Sequence, residues 1–384
     1  MPVYLAGRGL CSALGATLPE AIDTLKRGLV APGGIDVSPG VRTPYFGMPP
    51  SDEVWATRAR RLVVAAVQES GALGRGEPSM VGDSGDAGHL RRTGGRERGP
   101  TDARDGALLL ASTSFDMGVR EHGDAFELDI AAFAETVGGW LGWRGPVFVV
   151  CTACTSAVNA LMSAAALLRA GDVDDALVLG FELANRFTVG GFHSMQLLAS
   201  GPPQPLGANA SGLVLGEAVA ALHLSSRPAR WRVCGGANVV DSSDPAGAAP
   251  GAVASMTRQA LATSGLKAEQ IDLVKLQAAG SPTNDATELA GLRQVFGELP
   301  PVLSSKAWLG HTLGAAGAAE LALLTACIEA DAWPAPGYRL DPELRAPWAS
   351  QAPARLRHVL AIILGFGGGH AAVVLEDTSV ADPA

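Results

Sequence analysis

Short apolar runs alternate with amphipathic stretches along almost the whole chain. VYLAGRGL (3–10) reads as a buried strand, and a Gly/Ser turn leads to LPEAIDTLKRGL (18–29), whose spacing predicts a helix. A second helix is predicted over DEVWATRARRLVVAAVQESGAL (52–73), with arginines at its start. ALLLAST (107–113) is a strand, FELDIAAFAETVGGWLGW (126–143) a helix and GPVFVV (145–150) a short strand. Helix SAVNALMSAAALLRAG (156–171) and strand ALVLGFE (176–182) complete a βαβ unit, and GLVLGEAVAALHL (212–224) is further strand. Near residue 230 the pattern restarts. RWRVCGGANVV (230–240) is a strand, GAVASMTRQALATSG (251–265) a helix and IDLVKLQAAGS (271–281) a strand leaving into a loop. Helix TELAGLRQVFG (287–297), the long segment 300–330 and the strand pair LRHVLAIILGFGGGHAAVVLE (356–376) close the chain. Both parts open on a Gly-rich strand and alternate strand with helix. This predicts two similar α/β halves, 1–228 and 229–384, in one compact unit. Residues 82–106 are rich in Gly, Arg and Asp with almost no apolar anchors and are expected to form a mobile surface insertion.

Composition narrows the function classes. Of 384 residues, 47% are hydrophobic and 17% charged, ample for a large core. The net charge of −9, without a long basic run, argues against a nucleic-acid partner. No charge-free apolar stretch of about 18 residues stands out, so no membrane span is expected. The first residues, MPVYLAGRGLCSALG, lack the basic start and apolar centre of a signal peptide. Five scattered cysteines fit a reduced, cytoplasmic chain better than a disulfide framework.

The chemistry-bearing stretch is VVCTACTSAVNAL (149–161). Zinc would need a second CxxC or paired histidines, and neither is present. A dithiol redox site would belong to a much shorter fold. A third reading sets Cys154 in the sharp turn from strand GPVFVV into the following helix. The unpaired N–H groups and partial positive charge of the helix start would stabilise a thiolate and an oxyanion, with Cys151 turned toward the core. The motif alone leaves this level with two cysteines that merely fill the core.

Three further segments separate these readings. CTACTSAVNAL (151–161) resembles the nucleophile elbow of the β-ketoacyl-acyl-carrier-protein synthases, or ketosynthases. SSKAWLGHTLGAAGAAE (304–320) resembles their second catalytic segment, LGFGGGHAAVVLE (364–376) their C-terminal GFGG segment, and FELANRFTVGGFHSMQLLAS (181–200) the stretch lining their acyl pocket. The whole pattern looks most like ketosynthase and chain-length-factor-like proteins of bacterial aryl-polyene clusters. A thiolase or hydroxymethylglutaryl-type synthase on the same fold fits these segments less well.

The resemblance implies the thiolase fold, two fused βαβαβαββ-type halves in a five-layer α-β-α-β-α sandwich. It also implies a dimer, formed with itself or with a paralogous ketosynthase, in which the strand GPVFVV pairs across the two-fold axis. It implies transfer of an acyl group from acyl carrier protein to Cys154, then decarboxylative condensation with a malonyl-carrier-protein. Cys154 is then the nucleophile, the N–H groups of Cys154 and Phe366 the oxyanion hole, and Phe366 the gate. His311 matches the histidine that stabilises the enolate, Lys306 the lysine five residues before it and Glu320 that lysine's buried partner. No resident cofactor and no metal are implied, since the phosphopantetheine arm arrives on the carrier protein.

One departure matters. Where elongating ketosynthases carry a histidine in HGTxTPxxD, this chain reads LQAAGSPTND, which puts Gln277 in that place. An amide can donate a hydrogen bond but is neither a base nor a cation. Two functions therefore stay open: a specialised acyl-transferring synthase using Cys154, Gln277 and His311, or a non-catalytic chain-length factor that shapes the product of a ketosynthase partner. Asp285 and Glu288 match acids that support the altered segment. Phe192 and His193 fall in the acyl-pocket stretch, though a partly exposed helical position suits His193 as well. His370 stands where the family's asparagine is expected in the GFGG segment, and it could donate a hydrogen bond near the site or only support the loop. Arg58, Arg60 and Arg61 share one helix and could attract an acidic carrier protein, or be ordinary solvated charge.

Overall fold

The computed structural model describes residues 1–28, 30–74, 102–121, 129–242 and 247–381. The first half runs β1 (Tyr4–Ser12), α1 (Leu18–Lys26), β2 (Gly33–Ser38), β3 (Val41–Phe46), α2 (Trp55–Glu69), β4 (Ala107–Ala111), α3 (Met117–Arg120), α4 (Ile130–Leu141), β5 (Val147–Val150), α5 (Ser156–Ala170), β6 (Asp175–Glu182), α6 (Arg186–Ser194), β7 (Leu215–Gly216) and β8 (Ala218–Ser225). The second runs β9 (Trp231–Val240), α7 (Pro250–Ser264), β10 (Leu273–Lys275), α8 (Pro282–Phe296), β11 (Val302–Leu303), α9 (Lys306–Leu309), α10 (Ala316–Glu329), β12 (His358–Leu364) and β13 (Gly369–Asp377).

Ten strands form one sheet in the order β11-β10-β12-β13-β9-β1-β8-β6-β4-β5. It divides at the brief β1–β9 contact, where Tyr4 pairs with Arg232 and Leu5 with Trp231. On each side the strand order is the same: third, second, fourth, fifth, first. The second strand is parallel to its two neighbours (β4 with β5 and β6; β10 with β11 and β12), and the remaining pairings are antiparallel. The two halves are thus topological copies.

Alternation along the strands builds the layers. Leu108 and Leu110 of β4 face a core shared with α2 and α4, whereas Ala107, Leu109 and Ala111 face one shared with α5 and α10. In the second half Ala372 and Val374 of β13 face α7 and α8, whereas Ala371, Val373 and Leu375 face the central core. Helices α5 and α10 therefore lie between the half-sheets, α2 and α4 cover one outer face and α7 and α8 the other, which makes five layers. Small residues permit this close stacking. A Cβ at Gly180 of β6 would lie 3.0 Å from the Ala315 Cα. The 18-residue stretch 153–170 has the length and composition to cross a membrane, but it contains α5, the buried central helix.

One expectation needs revision, and one element escaped the sequence reading. Residues 82–101 lie outside the described residues, but 102–106 are ordered rather than mobile. Asp102 bridges to Leu73 and Ala103 is fully buried. Gly106 packs so tightly that a Cβ there would meet the Asp175 carbonyl oxygen at 1.9 Å, so this short run is fixed by the start of β4. The hairpin β2–β3, which pairs with β7, was not legible as strand because its exposed and part-buried positions follow no clean alternation.

Candidate active site

Each central helix connects the third strand of its half to the fourth, and each is preceded by a chemistry-bearing residue. Cys154 comes just before α5 and His311 just before the turn into α10. The duplication brings these two ends together: His311 Nε2 lies 3.0 Å from Cys154 Sγ. Both residues are buried. Before Cys154, Ala153 sits in the left-handed region at φ 51°, a strained elbow. Ser156 Oγ holds the elbow by accepting from Thr152 N–H at 2.9 Å and donating to the Ala153 carbonyl at 2.6 Å. His311 is held by its N–H to Val214 O at 2.8 Å and by Gly216 N–H to its carbonyl at 3.1 Å.

The other members arrive from the ends of β10 and β12. Gln277, His311, Cys154, Leu364 and Phe366 line one cavity of about 30 Å³, room for about a water molecule or two. The backbone N–H groups of Phe366 and of Cys154 act to lower the Cys154 thiol's pKa. Phe366 stacks on Phe192, with ring centroids 5.3 Å apart and planes at 17°. Gly367 and Gly368 follow it at φ 79° and 78°. A Cβ on Gly368 would fall 1.7 Å from the Asp241 carbonyl oxygen, so only glycine fits there.

Two acids of α8 pin the altered segment. Glu288 accepts the N–H groups of Gln277 at 2.7 Å and Ala278 at 2.8 Å. Asp285 accepts those of Leu206 at 2.8 Å, Ala279 at 3.0 Å and Gly280 at 3.1 Å. Gln277 Oε1 is buried and has no hydrogen-bond partner among the described residues. Lys306 and Glu320 form a buried ion pair.

Burial pushes Asp285 up to about 6 and Glu288 up to about 7, against the N–H donors that favour their charged forms. Both therefore bind protons more tightly folded than unfolded. Their stabilising contribution is full below the ordinary carboxylate range and is lost as pH rises through 6 to 7. For Asp285 the change of about two units is on the order of 3 kcal/mol. The melting temperature is expected to fall between pH 5 and pH 8. In Asp285→Asn it should be lower throughout with a shallower fall, and an equal slope in the two proteins would count against this origin.

Several site expectations are corrected. Burial is the largest influence on the Cys154 thiol and pushes it up to about 11, outweighing the lowering by Phe366 N–H and Lys306. The His311 imidazole is held well below its usual value, by burial first and then by Lys306 and Lys275. Both directions favour the neutral thiol and the neutral imidazole over the preformed thiolate expected at a helix start. Cys151 is exposed, not core-facing, because β5 is the last strand of the sheet. His193 is exposed on α6 and does not line the cavity. Arg58 turns inward to pair with buried Glu217 at 2.8 Å, whereas Arg60 and Arg61 are both exposed, Arg61 paired with Glu53. Their helix packs on the face of the sheet opposite Cys154. His370 is fully buried at the start of β13, away from the cavity lining. Among the described residues no group of three or more His, Cys, Asp or Glu side chains could hold a metal ion.

Two buried charges escaped the sequence reading. Glu182, at the end of β6, accepts N–H groups of Thr113, Ser114 and Gly314, each at 3.0 Å, and the hydroxyls of Thr113 and Ser114. Lys275, at the end of β10, forms an ion pair with Glu320. The signal was there in both cases: a lone charge closes an otherwise apolar run, in ALVLGFE and in LVK.

Comparison with known proteins agrees with this geometry. Residues 108–229 match the model of the β-ketoacyl synthase N-terminal domain and 234–336 that of its C-terminal domain. A putative polyketide β-ketoacyl synthase 1 of Streptomyces virginiae is 31% identical over 271 residues, covering 64% of each chain. Nodulation protein E of Rhizobium meliloti is 31% identical over 252 residues, covering 62% of this chain and 63% of its own. The match thus spans under two thirds of these relatives, and 11% of a highly reducing polyketide synthase, alnA, of Emericella nidulans. The ketosynthase ApeO in complex with its chain length factor ApeC, from Xenorhabdus doucetiae, superposes with a TM-score of 0.78 at 23% identity, over 98% of both chains. The ishigamide ketosynthase/chain length factor gives 0.77 at 21% identity, again over 98% of both. These likenesses establish the fold as that of the thiolase-type ketosynthases. With both domain models matched in order and Cys154 facing His311 across the two halves, the chain belongs to the β-ketoacyl synthase family.

Proposed function

We propose that the chain is an acyl-transferring ketosynthase subunit of carrier-protein-bound fatty acid or polyketide synthesis, of the aryl-polyene type. The observation that carries this reading is the buried Cys154–His311 pair at 3.0 Å, beside Phe366 in one cavity. The neutral imidazole takes the thiol proton as sulfur attacks the carrier thioester. The N–H groups of Cys154 and Phe366 receive the tetrahedral oxyanion. As it collapses, the carrier's thiolate leaves and takes a proton from His311, and the acyl chain stays on Cys154. Malonyl-carrier-protein then loses carbon dioxide. His311, through the N–H of its neutral ring, and the Gln277 amide donate to the resulting enolate oxygen. The enolate carbon attacks the acyl thioester carbonyl, and Cys154 leaves as a thiolate that regains its proton from solvent water. A cavity of about 30 Å³ cannot hold an acyl chain, so Phe366 must swing away from Phe192 first.

The second reading is a chain-length factor. Gln277 favours it, since the amide cannot carry charge. Strand β5 at the sheet edge, with Phe148 43% exposed beside Cys151, suits either a second copy or a ketosynthase partner. Mass spectrometry after incubation with acyl- and malonyl-loaded carrier protein tests both. Acylation of Cys154 and a β-ketoacyl product from the chain alone, both lost in Cys154→Ala, are expected for the synthase. Product only with a partner ketosynthase, unaffected by Cys154→Ala, would overturn it in favour of the chain-length factor.

A further inference from the structure

Arg58 and Glu217 take no part in the acyl transfer itself. Glu217 sits between β7 and β8 with its side chain 2% exposed. Its carboxylate gathers three separate pieces of the first half. Oε1 accepts the Met48 N–H, two residues after β3, at 2.6 Å. Oε2 accepts the Ala184 N–H, two residues after β6, at 3.0 Å. The Arg58 guanidinium of α2 donates to both oxygens, at 2.8 and 3.2 Å. The backbone N–H of Glu217 donates to the Phe46 carbonyl of β3 at 3.0 Å. A buried ion pair pays a desolvation cost that a hydrophobic pair of the same shape avoids, so stability alone is a poor reason to keep one.

What this clamp holds lies against His311. Strand β7 is two residues long, and the His311 backbone rests on it. His311 donates to the Val214 carbonyl, accepts from the Gly216 N–H and pairs with Leu215 between them. The contact has no slack. A Cβ on Gly216 would fall 2.2 Å from the Leu309 carbonyl oxygen. One on Gly310 would fall 2.7 Å from Phe46 Cδ2 and 2.9 Å from the Val214 and Leu215 carbonyl oxygens. A shift of β7 therefore carries residues 309–311 with it, and the imidazole with them.

We propose that Glu217, oriented by Arg58, is a positioning residue for the transfer reaction. By fixing β7 it sets the His311 imidazole against Cys154 Sγ. It touches neither the acyl group nor the reacting atoms and acts through His311. This rests on Cys154 being the nucleophile, and the test separates the two.

Acylation of Cys154 by acyl-loaded carrier protein is followed in single turnover by mass spectrometry on the full chain, over a range of carrier concentrations. Circular dichroism confirms folding. Glu217→Gln keeps the shape of the side chain and removes its charge. It is expected to lower the maximal rate constant about 10²-fold, as a misplacement of about 1 Å does. The half-saturating carrier concentration and the final extent of acylation should not change. Arg58→Met leaves the carboxylate without its fork of donors and should do the same. Arg58→Lys keeps the charge without the fork and should fall between. In a His311→Ala background no imidazole is left to misplace, and Glu217→Gln should change the rate constant by less than about twofold. A purely structural role would instead lower the extent of acylation at an unchanged rate constant, or act equally in the His311→Ala background, and either result overturns the inference. If Glu217→Gln does not fold, the two Arg58 variants, alone and with His311→Ala, carry the same test. A wild-type chain that acylates Cys154 no faster than Glu217→Gln and Arg58→Met sinks the Glu217 role alone. A wild-type chain in which Cys154 is never acylated sinks the nucleophile and this role together.

Discussion

Gln277→His is expected to raise the condensation rate of the chain by about 10²–10³-fold, the worth of one donor to a developing oxyanion. The substitution returns a group that can carry positive charge to the cavity shared with Cys154 and His311. The backbone should accept it unchanged, because the 277 and 278 N–H groups are fixed by Glu288 rather than by the side chain. The Gln277 Oε1 has no described partner to lose. Single-turnover assays with acyl-Cys154 and malonyl-carrier-protein separate condensation from loading. A gain in condensation with loading unchanged supports the enolate role of position 277. No gain, with Cys154 still acylated, would mean that condensation is limited elsewhere and would strengthen the chain-length-factor reading.

Glu182→Ala is the second large effect, on stability as well as activity. The carboxylate is 1% exposed and ties the loop after β4 to the turn that follows His311. Removing it leaves three buried N–H groups without an acceptor, at a cost of about 3–5 kcal/mol in total. Leu313, in that turn, already sits in the left-handed region at φ 47° and relies on its neighbours to stay there. Urea unfolding should show the loss, and alkylation of Cys154 should fall as His311 drifts from the sulfur. Glu182→Gln keeps an acceptor oxygen and should recover part of both. A Glu182→Ala protein within about 1 kcal/mol of wild type would show that the surrounding donors find other partners.

Much of the site was legible because its motifs are local. The turn from β5 into α5 is a strand-end followed by small helix formers, and the GHT and GFGG segments each lie within one loop, so their resemblance to ketosynthase segments could be read locally and singled out Cys154, His311 and Phe366. The two-half organisation was legible from the restart of the strand pattern near residue 230. Arg58 was misread because helical spacing puts it beside Arg61 but says nothing about Glu217, which lies 159 positions away from it. Cys151 was misread for a similar reason: which strand ends a sheet depends on strand order, and β5 pairs with β4 alone.

By itself the sequence determined the alternation of strand and helix, the nucleophile turn, the ordered motifs and the absence of histidine from residues 274–286, since each depends on neighbours within a few positions. Only the tertiary structure decided that Cys154 meets His311 across 157 positions, that Glu320 is shared between Lys306 and Lys275, and that Glu182 gathers donors from two separate loops. These contacts exist because two topological copies stack their central helices between half-sheets. Burial there then sets which groups stay neutral and which stay charged, and no local pattern encodes that balance.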